Sequence, residues 1–329
     1  MKFKSTLAAL ALGAAVTASA GSAFAACELG RTVKLADGNW EGIQVLNSIS
    51  AMILKSGYDC DTEMVAGEMV PLFTALGKND IDVFLDVWIT NNQEVWDKTA
   101  AQGAVVLGVL YPDATEGWYV PRYVIEGDKA RNIEAKAPGL KSVADLAANA
   151  KVFEDPEEPG KGRFVNCPIG WGCEQRNNAK VAAYGMADAF TNFKPGTGAA
   201  LDSAFAGAYK KGEPILGYYW EPTWLLGVQD MVKLEEPACT DANKDACASP
   251  LTEASATGSA KFVADASQVE DFFRNFKTSS AQVSTMLAYL KNNEGSTRDD
   301  AAKDFLKNNE ETWSKWVTPE AAAKIKAAL

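Results

Sequence analysis

Histidine is absent from all 329 residues. The side chain best suited to proton transfer near neutral pH is therefore missing, as is the commonest nitrogen ligand for zinc. There is no C-x-x-C pair, no G-x-S-x-G elbow and no P-loop. An enzyme built on this chain would have to work through aspartate or lysine. Positive charge is also scarce, with 32 Lys and Arg against 43 Asp and Glu and a net charge of −11. That balance argues against nucleic acid or an anionic membrane as partner and is compatible with a small cation. Beyond the first residues, no run approaches the roughly 20 apolar residues of a membrane-spanning helix. Internal repeats and low-complexity tracts are lacking too.

What is present begins with an export pattern. Lys2 and Lys4 precede an apolar stretch at residues 7–16, and Ala23-Phe24-Ala25 forms an A-x-A site. Residues 1–25 read as a secretory signal peptide cut before Ala26, which sends the mature chain to the periplasm. Cys27 follows closely, but Phe24 fits poorly as the lead residue of a lipoprotein signal. Cleavage removes two lysines and no acid, deepening the charge to −13. An even set of cysteines in an oxidising compartment suggests disulfides. Nearest-neighbour pairing gives Cys27–Cys60, Cys167–Cys173 and Cys239–Cys247, among fifteen formal pairings. The last two would clip local loops only.

The composition, 47% apolar and 23% charged, suits a globular protein with a sizeable core. Strand-like and helix-like patterns alternate through the first half. Residues 32–36, 62–66, 81–87 and 104–110 read as strands. Ile43, Leu46, Ile49 and Ile53 recur at helical spacing until Ser56-Gly57, and residues 93–101 read as helix. The middle repeats the theme: strands at 118–125, 163–166 and 214–219, helices at 174–190 and 199–211. Residues 239–258 lack periodicity and read as loop. A last strand is expected at 261–265, and the rest is helical. This is α/β with mostly parallel sheets flanked by helices. Lobe I is expected at 26–112 and 238–329, and lobe II at 113–237, with a hinged cleft between.

Of nine tryptophans, seven fall into two groups. Trp96, Trp313 and Trp316 lie on helices and read as packing. Trp40, Trp88, Trp171 and Trp220 each follow the C-terminal end of an expected strand, where open α/β sheets bind ligands. Two come from each lobe, so they can meet across the cleft. A ring of indole faces suits a cation without hydrogen-bond donors, such as a methylated ammonium. Each contact is worth about 0.5–2 kcal/mol, and each buried methyl adds roughly 0.8. Four indoles therefore bring a micromolar site, about −8 kcal/mol, within reach. Sugar stacking is the competing use.

At these positions "GNW", "DIDVFLDVW", "NCPIGWGCE" and "YYWEP" resemble the substrate-binding proteins of ABC importers for glycine betaine, proline betaine, choline and trimethylamine N-oxide. The likeness runs over nearly the whole mature chain, and the "GWGCE" loop is its most specific piece. It implies a type II periplasmic-binding fold that closes on its ligand and hands it to an inner-membrane permease. It implies an aromatic cage at Trp40, Trp88, Trp171 and Trp220. It also implies that the loop at Gly172 and Cys173 offers backbone N–H groups to a ligand carboxylate, shaped by a Cys167–Cys173 bond.

One departure concerns choline. Choline-binding members carry an aspartate two residues after the first cage tryptophan, and Gly42 stands there. Glu116, in the first interlobe crossing, reads either as a solvated hinge acid or as an acceptor for a ligand hydroxyl or protonated N-oxide. In the second case it would repel a carboxylate ligand, and Trp118 and Tyr119 could line the same side. Asp241, Asn243 and Asp245 have the spacing of a calcium loop, but Ala246 and Thr252 stand where its glycine and glutamate belong. A solvated loop is the better reading. The expectation is a monomeric solute receptor for a methylated amine, with no cofactor, no metal and no catalysis. The alternatives are a same-fold receptor for a sugar or polyamine, or an enzyme acting on a betaine.

Overall fold

One long strand belongs to two sheets. The computed structural model describes residues 27–244 and 246–329, so the signal-peptide reading at 1–25 and the Asp245 position lie outside the described residues. The strands are β1 Val33–Gly38, β2 Thr62–Gly67, β3 Val83–Val87, β4 Val105–Pro121, β5 Gly162–Val165, β6 Phe190–Phe193, β7 Gly217–Glu221, β8 Met231–Lys233 and β9 Thr252–Gly258. In the first sheet β1 runs parallel to β2 and β3, and β9 lies antiparallel between β3 and β4. In the second, β5 runs parallel to β6 and β7, and β4 pairs antiparallel with β7 and β8. Each sheet has one strand against four. β4 pairs with β9 as far as Ala114 and with β7 from Thr115 onward.

Sequence pattern explains most elements. The helix Glu41–Tyr58 buries Ile43, Leu46, Ile49 and Ile53 completely, one face at helical spacing. It ends where Asp59 turns left-handed, at φ 56°. Gly57 lets the helix Pro319–Ala328 approach, since a Cβ there would sit 3.1 Å from Ile325. Phe272, Phe273, Phe276, Trp313 and Trp316 are buried in the first lobe. Trp313 donates its indole N–H to the Leu306 carbonyl at 2.6 Å, and Trp96 is buried against Phe73.

Four expectations need correction. The 239–258 stretch is loop only up to its last seven residues, because β9 is the strand joining β3 to β4. Its interior is Ala254, Ser255, Ala256, Thr257 and Gly258, all buried. Small side chains fit between two well-covered neighbours, yet they give no apolar alternation. The expected strand at 261–265 is the helix Ala260–Asp265, whose N-cap Ser259 hydroxyl accepts from the Phe262 N–H. The strand begun at 118 turns helical at Arg122–Glu126, and it is continuous with the one begun at 104. The helix expected over 174–190 stops at Ala183, and β6 follows.

Candidate functional site

Three of the four singled-out tryptophans sit at the hinge between a strand and a helix. Trp40 follows β1 and caps the helix Glu41–Tyr58. Trp88 follows β3 and caps the 3-10 turn Ile89–Asn92. Trp171 follows β5 through the Cys-Pro-Ile-Gly loop and caps the helix Gly172–Ala183. Trp220 is on β7, directly across from Glu116 on β4. Trp40 and Trp171 are extended there, which throws their side chains off the sheet edge. With Trp88 just after β3 and Trp220 near the end of β7, the four rings gather at the C-terminal ends of the strands. Trp40 and Trp171 meet edge to face at 5.6 Å between centroids, as do Trp171 and Trp220 at 5.2 Å. Trp40, Trp88, Trp171, Trp220, Glu116, Gly172 and Cys173 all border one cavity, shared with Met69, Asp86, Asn91, Asn92 and Tyr218.

Hydrogen bonds hold the rings in place. The Trp171 indole N–H donates across the cleft to Asn39 Oδ1 at 2.7 Å, and Asn39 in turn donates to Glu68 at 2.8 Å. Trp40 and Trp88 both donate to Asp86, at 2.8 and 3.1 Å, and the Tyr111 hydroxyl donates there as well. Asp86 is fully enclosed; burial pushes its carboxyl up to about 6, against the opposing pull of Tyr111, Trp40 and Trp88. Aspartate in an apolar run is the signal in "IDVFLDV" that could have singled it out, since a buried acid requires a reason.

Glu116 is buried, not solvated, at 2% exposure. One oxygen accepts from Arg176 and from the Ser249 hydroxyl, both at 2.8 Å; the other accepts from Tyr218 at 2.8 Å. The guanidinium offsets its charge, so a carboxylate ligand meets less repulsion than Glu116 alone would give. Arg176 also reaches Asn91 Oδ1 at 3.3 Å, on the far side of the cleft. Arg176 lies outside every motif and was found only by folding, and Tyr218, though part of "YYWEP", gave no sign that its hydroxyl would hold Glu116.

Three disulfides join Cys27 to Cys60, Cys167 to Cys173 and Cys239 to Cys247. The second closes the loop that carries Trp171. Gly172 begins its helix so close to the Ile89–Asn92 turn that a Cβ would lie 2.1 Å from Asn92 Oδ1 and 2.8 Å from the Asn91 carbonyl. Glu174 N–H donates to the Trp171 carbonyl at 3.1 Å, and the Gly172 and Cys173 N–H groups, which have no intrahelical acceptor, remain available donors. Trp118 and Tyr119 do not border the cavity. Trp118 is fully buried against Phe164 and donates to Asn177 at 2.9 Å. In the 239–247 loop, Asn243 Oδ1 is occupied by the Thr240 N–H and hydroxyl, at 2.7 and 2.8 Å.

Residues 31–308 match the family described as the substrate binding domain of ABC-type glycine betaine transport systems. A glycine betaine/proline betaine-binding periplasmic protein of Escherichia coli K12 is 30% identical over 135 residues, 40% of this chain and only 38% of that one. A trimethylamine N-oxide-binding protein of Pelagibacter ubique is 23% identical over 285 residues, covering 84% of this chain and 87% of that one. Among solved structures, a glycine betaine, L-proline-binding protein of an ABC transporter from Borrelia burgdorferi superposes with TM-score 0.71. It is 17% identical and covers 90% of this chain and 100% of that one. The fold is therefore the two-lobed type II periplasmic-binding arrangement. No helix of the described residues is long and apolar enough to cross a membrane.

Proposed function

The chain belongs to the family of substrate-binding domains of ABC-type glycine betaine transport systems, and on that premise we propose that it is a periplasmic receptor for a small methylated amine. The single observation that carries this reading is the convergence of four indoles from two lobes on one cavity. Such a lining offers apolar faces for methyl groups and negative π clouds for the charge. Glycine betaine, trimethylamine N-oxide and related quaternary ammonium compounds share that head group. Names of relatives include both betaine and the N-oxide. The free N–H groups at Gly172 and Cys173 suit a ligand carboxylate. Glu116, held by Arg176, Ser249 and Tyr218, suits a hydroxyl or protonated N-oxide.

In this reading the ligand is delivered unchanged to an inner-membrane permease by a monomer, without nucleic acid and without turnover. The lobes exchange chain near 112–113 and 237–238, which agrees with β4 changing partners between Ala114 and Thr115. The test is a calorimetric panel of glycine betaine, trimethylamine N-oxide, choline and carnitine on the purified protein at neutral pH. Micromolar binding of at least one, with no chemical change in the recovered ligand, is expected. Absence of binding by the whole panel, with a sugar or polyamine binding instead, contradicts the reading.

A further inference from the structure

Asp86 lies beneath the cage without a countercharge. Among the described residues it accepts from neutral donors, the indoles of Trp40 and Trp88 and the Tyr111 hydroxyl. The neighbouring buried acids are neutralised. Asp82, earlier in the same apolar run, pairs with Arg31 at 2.6 Å, and Glu116 on the other side of the cavity pairs with Arg176 at 2.8 Å. Among the described residues no lysine or arginine pairs with Asp86 in the same way. A buried carboxylate left without a cation is costly unless something positive arrives.

The surrounding backbone is arranged around this carboxylate. Asp86 has φ 54°, the left-handed region that residues other than glycine seldom occupy. The β3–β9 register shifts between Phe84 and Val87, so the strand is bent where Asp86 leaves it. Gly42 vacates the space opposite: a Cβ there would lie 2.7 Å from Asp86 Oδ2. Two separate elements therefore accommodate one carboxylate at the cavity wall.

We propose that Asp86 is the countercharge of the bound head group, a specificity-determining residue that selects a permanent cation over its neutral isostere. It does so while fixing the planes of Trp40 and Trp88 through their N–H groups. The inference rests on reading the cavity as a methylated-ammonium site. It adds to the discrimination that the indole π faces supply, because a tert-butyl group buries the same methyls as a trimethylammonium and differs from it only in charge.

The experiment compares two pairs of probes on the full chain. Glycine betaine is set against 3,3-dimethylbutanoate, and choline against 3,3-dimethylbutan-1-ol. Each pair differs in head charge alone. The quantity read is the ratio of affinities within a pair, which cancels general damage to the cage. Wild type is expected to favour the cation, and Asp86→Asn is expected to cut that ratio by about tenfold or more. Equal losses for both members would leave Asp86 a positioning residue and overturn the countercharge. A ratio that falls with Glu116→Gln but not with Asp86→Asn would assign the charge to Glu116 and likewise overturn it. Should Asp86→Asn fail to fold, the ratio for the choline pair, whose hydroxyl tails do not titrate in this range, is measured on wild type from pH 7.5 to 5. Tyr111 is the other titratable group in contact with Asp86, and Glu116 with Arg176 faces it from β4 and the helix Gly172–Ala183. A ratio that collapses on acidification in both wild type and Glu116→Gln supports Asp86, and a flat ratio overturns it. If no probe of either pair binds wild type, the cation-site reading fails, a result distinct from failure of the Asp86 role.

Discussion

A tryptophan ring is worth its place here only if its face meets ligand. Trp88 and Trp220 sit on opposite sheets and share the cavity. Trp88→Ala and Trp220→Ala are each expected to lose about tenfold or more in affinity, near 1.4 kcal/mol, by calorimetry. Unchanged binding in both would remove the cage. Asp86 makes binding depend on pH. Its carboxyl titrates at about 6, and a bound cation favours the ionised form. Affinity should hold above about pH 6.5 and fall as pH drops through 6. Its share of folding stability runs the other way. Between the ordinary value of 3.8 and about 6 the folded chain keeps a proton that the unfolded chain has released. That contribution is greatest at low pH and is lost as pH rises through 6. The tryptophans were legible in the sequence because each follows a strand pattern. Asp86 was visible only as an acid breaking an apolar run, and its partners Trp40 and Tyr111 are far from it along the chain.

At the scale of elements, the helix Gly172–Ala183 delivers Trp171, Arg176 and the two backbone donors to one place. It can do so because residue 172 has no side chain. Gly172→Ala puts a methyl against the Asn91 carbonyl and Asn92 Oδ1, and overpacking of this kind costs about 1–3 kcal/mol. The expected outcome is at least about tenfold weaker binding with an unaltered far-ultraviolet circular dichroism spectrum. Full affinity would show that the close approach is incidental. Elements with one apolar face, such as Glu41–Tyr58, were plain from spacing. β9 was not, because Ala, Ser, Thr and Gly fill a slot between two strands without any periodic signal. The helix Ala260–Asp265 was misread because six residues are too few to separate the two periods.

Across the whole molecule, the lobes meet through side chains beside the cage. Trp171 bonds to Asn39 and Arg176 to Asn91, each joining one sheet's elements to the other's. Asn39→Ala should raise the release rate about two- to tenfold, the worth of one such hydrogen bond, when followed by stopped-flow tryptophan fluorescence. An unchanged rate would mean that closure does not depend on that contact. Two lobes were foreseeable from the order of strand and helix patterns, since the chain leaves the first sheet and returns to it. The sharing of β4 between both sheets was not, because a strand that changes partners looks the same in sequence as one that does not.

The central claim is that four indoles from two lobes enclose one methylated ammonium head. A crystal structure of the protein with its tightest ligand from the calorimetric panel tests it most directly. The account predicts the methyl carbons of the head group in van der Waals contact with Trp40, Trp88, Trp171 and Trp220 at once. A ligand seated elsewhere, or in the cavity with its head group turned away from those rings, would contradict it.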